Sequence, residues 1–326
     1  MTRAKIVGTG AYAPERVLTN AELETMIDTS DEWIVQRSGI RERRIVAPGE
    51  TTSDLAVRAA RQALARANRT PADIEFLVLG TTSADQQFPS TANFVSHKLG
   101  CGRIGSVDVW AACSGSIYSL SIGAQYIETG KYRRVLTIGA EALSRITDFT
   151  DRSTCVLLAD AAGAAVLEPS GDGSGVIDTD LYSDARYADL LYMSAGGART
   201  PASHETVDAR LHYVKMKGSE LFKVAVRMFV ESTMTILERH GFKARDVDLF
   251  IPHQANLRII EAAAKRVDLP MERVFVNIDR YGNTGAASIY VALEEAVTSG
   301  RLRRGDLVLL AAFGGGVTWG AALIRW

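Results

Sequence analysis

The sequence lacks several features that would have settled its class quickly. No apolar run is long enough to span a bilayer, and mean hydropathy is close to zero at +0.02. The opening MTRAKIVGTGAYAP has no apolar core of the ~7–15 residues a signal peptide needs. These two absences predict a cytoplasmic protein. Cysteine is scarce: Cys101, Cys113 and Cys155, spaced 12 and 42 residues apart, match no zinc pattern. Disulfides are not expected in a reducing compartment. The three thiols are therefore either buried structural residues or include a reactive one. Excess charge is also missing. Lys and Arg number 37 against 38 Asp and Glu, a net charge of −1, which gives no electrostatic case for nucleic acid as a partner. An acidic partner would have to find a local basic patch.

What is present suits a large globular enzyme. The 326 residues are 47% hydrophobic and 23% charged, enough for about two domains of ~150 residues each. The chain also repeats itself. CSGSIYSLSIGAQYIETGKYRR from Cys113 aligns with NTGAASIYVALEEAVTSGRLRR from Asn283 at an offset of 170, pairing Gly115 with Gly285 and Gly130 with Gly300. DIEFLV from Asp73 aligns with DVDLFI from Asp246, and SDLA from Ser53 more weakly with SELF from Ser219, in the same order. An internal duplication follows, with halves 1–170 and 171–326 joined through the turn-rich EPSGDGSG.

Within each half, helical and strand patterns alternate. SDLAVRAARQALARAN places apolar residues at 55, 56, 59, 60, 63, 64 and 67, one face of a helix. IEFLVLG reads as a strand buried on both faces. A strand near 106–110, a helix over about 114–128, a strand near 134–140 and a strand over CVLLADAAGAAVLEP follow. The pattern predicts an α/β chain with largely parallel sheets. Two duplicated α/β halves with pseudo-two-fold symmetry, layered αβαβα, with a Cys in one half and a polar residue at its repeat mate, describe the thiolase fold.

Three residues stand where chemistry is expected. Cys113 follows SVDVW and opens a helix, so backbone N–H groups and the helix dipole should lower its pKa and could hold an oxyanion. A small residue filling a tight strand–helix turn is the alternative. His253 ends the strand DVDLFIP, ahead of a helix expected near Ala255, at the strand edge where ligands bind in parallel α/β sheets. Asn283 takes the position that Cys113 holds in the first half, and otherwise reads as a helix N-cap. Ala312-Phe313-Gly314-Gly315-Gly316 allows close backbone approach to a ligand or a tight turn; no Gly-Lys-Ser/Thr follows, so it is not a phosphate loop.

Nearly end to end, the sequence resembles the β-ketoacyl-acyl carrier protein synthase III family, the condensing enzymes that initiate type II fatty acid synthesis. The resemblance is carried by Asp31-Glu32-Trp33-Ile34, Arg37-x-Gly39-Ile40, Thr81-Thr82-Ser83, Phe88-Pro89-Ser90, Ala112-Cys113-Ser114-Gly115 and Pro252-His253-Gln254-Ala255-Asn256. It continues through Tyr281-Gly282-Asn283-Thr284 and Phe313-Gly314-Gly315-Gly316-x-Thr318-Trp319-Gly320.

The resemblance implies that Cys113 takes an acyl group from acyl-CoA, with the N–H groups of Cys113 and Gly315 as the oxyanion hole. His253 and Asn283 would bind the thioester of malonyl-acyl carrier protein as it loses CO2, with no metal or redox cofactor. Trp33 and Arg152 would sandwich the CoA adenine, Arg37 would meet its phosphates, and Gly218 and Asn256 would line the pantetheine tunnel. Phe88 would reach across a homodimer interface to cap the acyl pocket, favouring acetyl or another short primer. Acyl carrier protein would dock on Lys223 and on Gln254, Ala255, Asn256, Leu257, Arg258, Lys265 and Arg266, where the basic residues at 258, 265 and 266 share a helical face.

Related classes differ at specific positions. A biosynthetic thiolase has a second Cys near the C-terminal glycines, where this chain has Phe313. Elongating ketosynthases have a second His in place of Asn283, and plant-type polyketide synthases are longer and end differently. A secondary-metabolism acyltransferase or ketosynthase of the same family, with another acceptor, is the alternative. Trp110, Ser116, Ala159, Ala162 and Gly285 depart from the usual pattern and bear on the shape of the acyl pocket.

Overall fold

The computed structural model describes residues 2–326. Two mixed sheets are stacked around a central pair of helices. The first sheet has the order Ala4–Tyr12, Asp160–Pro169, Val135–Ala142, Phe76–Gly80, Gly105–Val109. The second has the order Gly175–Ser183, Thr318–Arg325, Leu307–Gly314, Leu249–Pro252. The repeated segments take matching places: DIEFLV feeds the strand Phe76–Gly80 and DVDLFI feeds Leu249–Pro252, each fourth in its sheet. Every strand of the first sheet precedes residue 170, and every strand of the second follows it.

The sheets are not largely parallel. Three of their strand pairs are parallel and four antiparallel. Connection length explains one case: only residues 315–317 join Leu307–Gly314 to Thr318–Arg325, far fewer than a parallel crossover requires. Another difference lies in CVLLADAAGAAVLEP. Asp151 accepts the Ser153 N–H and caps a short helix, Arg152–Cys155, so the strand begins only at Asp160.

Five layers result. Leu55, Ala59, Ala63 and their neighbours on Thr52–Arg66 pack with Val95 of Thr91–Leu99 against the outer face of the first sheet. Gly218–Arg239 and Leu257–Arg266 cover the second sheet through Ala225, Phe229, Ile260 and Ala264. Between the sheets lie Gly115–Glu128 and Ser288–Thr298, whose Ile117, Leu120, Ile289 and Leu293 share one core with residues of both sheets. That central contact is backbone-tight. A Cβ on Gly139 would stand 2.1 Å from the Ala286 carbonyl oxygen, and one on Gly163 would stand 2.4 Å from Tyr290 Cβ. No helix among the described residues is long and apolar enough to cross a membrane.

Candidate active site

A cavity of about 870 Å³ opens between the two halves. Cys113, His253, Asn283 and Gly315 all line it, as do Trp33, Arg37, Arg152, Gly218, Lys223, Asn256 and Arg258. Residues far apart in sequence are therefore gathered at one surface.

Cys113 lies in a short 3-10 turn, Ala112–Ser114, that leads into the helix Gly115–Glu128. Ala112 has φ +46°, a left-handed conformation that costs a non-glycine residue roughly 1–2 kcal/mol. Thr318 holds this turn from the other half. Its hydroxyl donates to the Ala111 carbonyl at 2.7 Å, and its own carbonyl accepts the Ser114 hydroxyl at 2.9 Å. Gly314 packs against the same place, where a Cβ would lie 2.6 Å from the Cys113 nitrogen. The repeat preserves part of this backbone: Gly282, immediately before Asn283, also has positive φ, at +67°.

The expected low thiol pKa is not found. Burial, then the nearby Glu141 carboxylate, push Cys113 up to about 12 against the pull of backbone N–H donation. The helix start is present, but packing against the facing half outweighs it, even though Cys113 stays half-buried at the cavity wall. The resting sulfur is a thiol. Cys101 and Cys155 are buried and unpaired, and neither lines the cavity.

His253 follows the strand Leu249–Pro252 and is fully enclosed, with its N–H bonded to the Ala311 carbonyl at 2.8 Å. Burial pushes it down to about 3, so the imidazole is neutral at pH 7. Its Nδ1 lies 2.6 Å from Ser288 Oγ, whereas its buried Nε2 has no partner among the described residues. The following helix begins at Leu257 rather than near Ala255, because Asn256 is its N-cap.

Asn283 combines its two expected roles. Its Oδ1 accepts the Gly285 N–H at 3.0 Å as a turn cap, which leaves the amide nitrogen as the donor for the cavity. Its backbone is bound to the first half, N–H to Leu157 O at 2.8 Å and O from Ala159 N–H at 2.9 Å.

At the mouth, the Arg37 and Arg152 guanidiniums lie over the Trp33 ring, 4.7 and 4.6 Å from its centroid. The face expected to receive adenine is thus already stacked on arginine. Asn256 donates to Arg37 O at 2.8 Å and accepts the Arg258 N–H at 2.9 Å. Arg258, Lys265 and Arg266 are exposed on Leu257–Arg266, with Glu261 also exposed between them. Two proposed carrier contacts need correction. Gln254 is buried, donating to Pro252 O and Phe275 O and accepting from Asn277 N–H, so its amide serves the loop. Ala255 is buried as well. Phe88 does not line this chain's cavity and is 87% exposed. Of the residues that depart from the family pattern, Trp110 lines the cavity, whereas Ser116, Ala159, Ala162 and Gly285 are buried behind it.

Sequence reasoning missed Thr318 as the clamp on the nucleophile turn and Ser288 as the histidine's partner. It also missed Glu141, a buried carboxylate whose pKa burial raises and which accepts from the hydroxyls of Thr82 and Ser83. Threonine in the C-terminal motif was visible, but nothing in its spacing indicated a bond to residue 111.

Two stacked sheets with matching strand order, a cysteine on one half and a His–Asn pair on the other, define a condensing enzyme of the thiolase fold. Residues 107–185 match the family model for 3-oxoacyl-[acyl-carrier-protein (ACP)] synthase III, and residues 237–326 match that for its C-terminal part. The chain is 50% identical over 323 residues to the β-ketoacyl-[acyl-carrier-protein] synthase III of Caldanaerobacter subterraneus subsp. tengcongensis, covering 99% of this chain and 98% of that one. The crystal structure of 3-oxoacyl-[acyl-carrier-protein] synthase III from Aquifex aeolicus superposes with a TM-score of 0.92 at 47% identity, covering 99% of this chain and 100% of that one. A priming β-ketosynthase from the R1128 polyketide biosynthetic pathway gives 0.91 at 34% identity, covering 98% and 96%. The chain belongs to the β-ketoacyl-[acyl-carrier-protein] synthase III family.

Proposed function

We propose that the chain catalyses decarboxylative Claisen condensation of a short acyl-CoA with malonyl-acyl carrier protein, the initiating step of fatty acid synthesis. The observation that carries this reading is the meeting of Cys113, His253 and Asn283 at one cavity, with a thiol on one side and two unpaired nitrogens on the other. Cys113 attacks the acyl-CoA carbonyl. The N–H groups of Cys113 and Gly315 take the oxyanion, a donor type whose loss costs about 2.7–4 kcal/mol. The CoA sulfur leaves with the proton that Cys113 gives up. Because the resting sulfur is protonated, it must give up that proton as it attacks, and the departing CoA sulfur is the group that receives it.

Malonyl-acyl carrier protein then enters, and His253 Nε2 and Asn283 Nδ2 bind its thioester oxygen. Loss of CO2 breaks the carbon–carbon bond to the carboxylate and leaves an enolate whose charge rests on that oxygen, and its α-carbon attacks the acyl carbonyl on Cys113. The tetrahedral adduct collapses, forming the β-ketoacyl-carrier protein and expelling the Cys113 sulfur, which takes up one proton from solvent to return to the thiol. Electrons balance within the substrates, so the reaction needs no metal or redox cofactor. A neutral His253 fits a hydrogen-bond donor better than a cation that would bind carboxylate and hold back decarboxylation.

Trp33, Arg37 and Arg152 bind the nucleotide of CoA, and Gly218 and Asn256 border the pantetheine arm. The exposed Lys223, Arg258, Lys265 and Arg266 receive the acidic carrier protein, together with Leu257. The functional unit is a homodimer. In support, the strand Gly105–Val109 is an uncovered sheet edge, and Trp110 and Phe88 beside it are 60% and 87% exposed. A second copy there brings Phe88 to the far end of the acyl pocket and limits primer length. We assign the protein to the cytoplasm, where CoA thioesters and carrier protein are at hand.

The test is to incubate the protein with a panel of acyl-CoA primers and then with malonyl-carrier protein. One acyl mass should appear on Cys113 and vanish in Cys113→Ala. His253→Ala and Asn283→Ala should still be acylated but should release little CO2. Acylation surviving Cys113→Ala would reject the reading. Turnover with an alcohol or amine acceptor, and none with malonyl-carrier protein, would favour the acyltransferase alternative.

A further inference from the structure

A neutral imidazole carries its proton on only one nitrogen, and the choice decides whether the cavity-facing nitrogen donates or accepts. For His253 the surroundings make that choice. Ser288 Oγ lies 2.6 Å from Nδ1 and also receives the Gln254 N–H at 3.3 Å. One oxygen lone pair is therefore used by the peptide. The serine hydrogen needs an acceptor, and among the described residues Nδ1 is the one acceptor within bonding distance of this hydroxyl. An N–H on Nδ1 would leave a buried hydroxyl hydrogen without a partner, a cost the opposite arrangement avoids. Ser288 is itself 2% exposed, so water is not at hand to take that hydrogen. His253 is also held neutral by burial, so both tautomers are available in principle and a single hydrogen bond can decide between them.

We propose that Ser288 is a positioning residue: its hydroxyl donates to His253 Nδ1 and so fixes the imidazole proton on Nε2, the nitrogen that has no protein partner. Ser288 heads the helix Ser288–Thr298, which is wedged between the sheets, so its position is set by the core. It acts through His253 and touches no substrate. The consequence is a division of labour: His253 arrives as a donor to the carrier-protein thioester and is the wrong tautomer to take the Cys113 proton. This inference rests on the condensation reading for its kinetic consequence, but its central claim concerns the resting protein alone.

The experiment is 15N–1H correlation NMR on protein labelled at histidine nitrogens, with His253→Ala used to assign the signals, on wild type, Ser288→Ala and Ser288→Thr. Wild type should show the Nε2–H pattern for His253 at pH 7. Ser288→Ala should show a mixture or the Nδ1–H form, and Ser288→Thr, which keeps the hydroxyl, should restore the wild-type pattern. In parallel, Ser288→Ala should lower CO2 release from malonyl-carrier protein by more than tenfold while changing acyl transfer to Cys113 by less than threefold. An Nδ1–H pattern in wild type overturns the proposal, as does an unchanged tautomer in Ser288→Ala. The wild-type spectrum needs no variant, so misfolding of Ser288→Ala would not shelter the idea. If wild type shows Nε2–H but releases no CO2 from malonyl-carrier protein, the tautomer assignment stands and the condensation reading fails.

Discussion

If adenine is to stack on Trp33, Arg152 must first leave it. The guanidinium lies 4.6 Å from the ring centroid and also donates to Asp28 O at 2.7 Å. A half-exposed cation–π contact is worth about 0.5–1 kcal/mol, and stacking of a base on an aromatic ring about 1–3 kcal/mol. When CoA binds, Arg152 exchanges its contact with Trp33 for a similar one with adenine, and the two nearly cancel. Trp33→Ala loses the base stack but also removes the contact that had to be broken. The net loss is about 0.5–2 kcal/mol, or roughly 2- to 30-fold in affinity. Arg152→Ala loses the contact in both states and should change affinity less than about twofold. The assay is calorimetric titration with acyl-CoA in a Cys113→Ala background, which prevents turnover. Acyl-pantetheine, which lacks the nucleotide, serves as control and should bind all three proteins alike. If Arg152→Ala weakens acyl-CoA as much as Trp33→Ala, the slot is open in solution and the exchange argument is wrong.

Other predictions concern the nucleophile, the core and the carrier surface. With its pKa near 12, Cys113 should be alkylated by iodoacetamide at a rate rising about tenfold per pH unit from 7 to 10; a plateau near pH 8 would mean that the helix start outweighs burial. Gly139→Ala drives a Cβ to within 2.1 Å of the Ala286 carbonyl, and should cost at least the ~1–3 kcal/mol of core overpacking, read as a lower urea midpoint; an unchanged midpoint would show that the two halves can part slightly at no cost. Arg258→Glu with Lys265→Glu should raise KM for malonyl-carrier protein and weaken its salt dependence while sparing acyl transfer from CoA. Because Glu261 already tempers this face, the effect should be smaller than that of an all-basic helix, and equal damage to both half-reactions would exclude it as the dock.

What could be read from the chain depended on how far each signal reached. The stripe at 55, 56, 59, 60, 63 and 64 is local, so the helix Thr52–Arg66 was legible residue by residue. The central helices carry no such stripe, since they are buried on both sides, and only the repeat linking Cys113 to Asn283 revealed that they correspond. Strand direction was misread because apolar runs look alike in parallel and antiparallel pairs. The short turn at residues 315–317 holds the answer: the tight turn that its glycines allow joins an antiparallel pair, while Gly315 also reaches the cavity. The acid–base state of Cys113 was not legible at all. Its sequence neighbours offer a helix start, while the burial that dominates comes from a half of the protein some 200 residues away, around Gly314 and Thr318. Ser288 was hidden for the same reason, standing 35 residues beyond the histidine it touches.

The reactive residues are tied down by hydrogen bonds, whereas parts of the wall around them are not. Asn283 is fixed through backbone hydrogen bonds to Leu157 and Ala159, His253 through the Ser288 hydroxyl, and the Cys113 turn through hydroxyl-to-carbonyl bonds, Thr318 to Ala111 and Ser114 to Thr318. Trp110, Met193 and Phe222 contribute to the cavity at positions outside those bonds. Replacing such wall residues can reshape the space offered to a primer without moving the sulfur or the facing donors. A chain built this way is tolerant where new substrates are won and rigid where the reaction takes place, which lets one scaffold diversify in specificity by small steps.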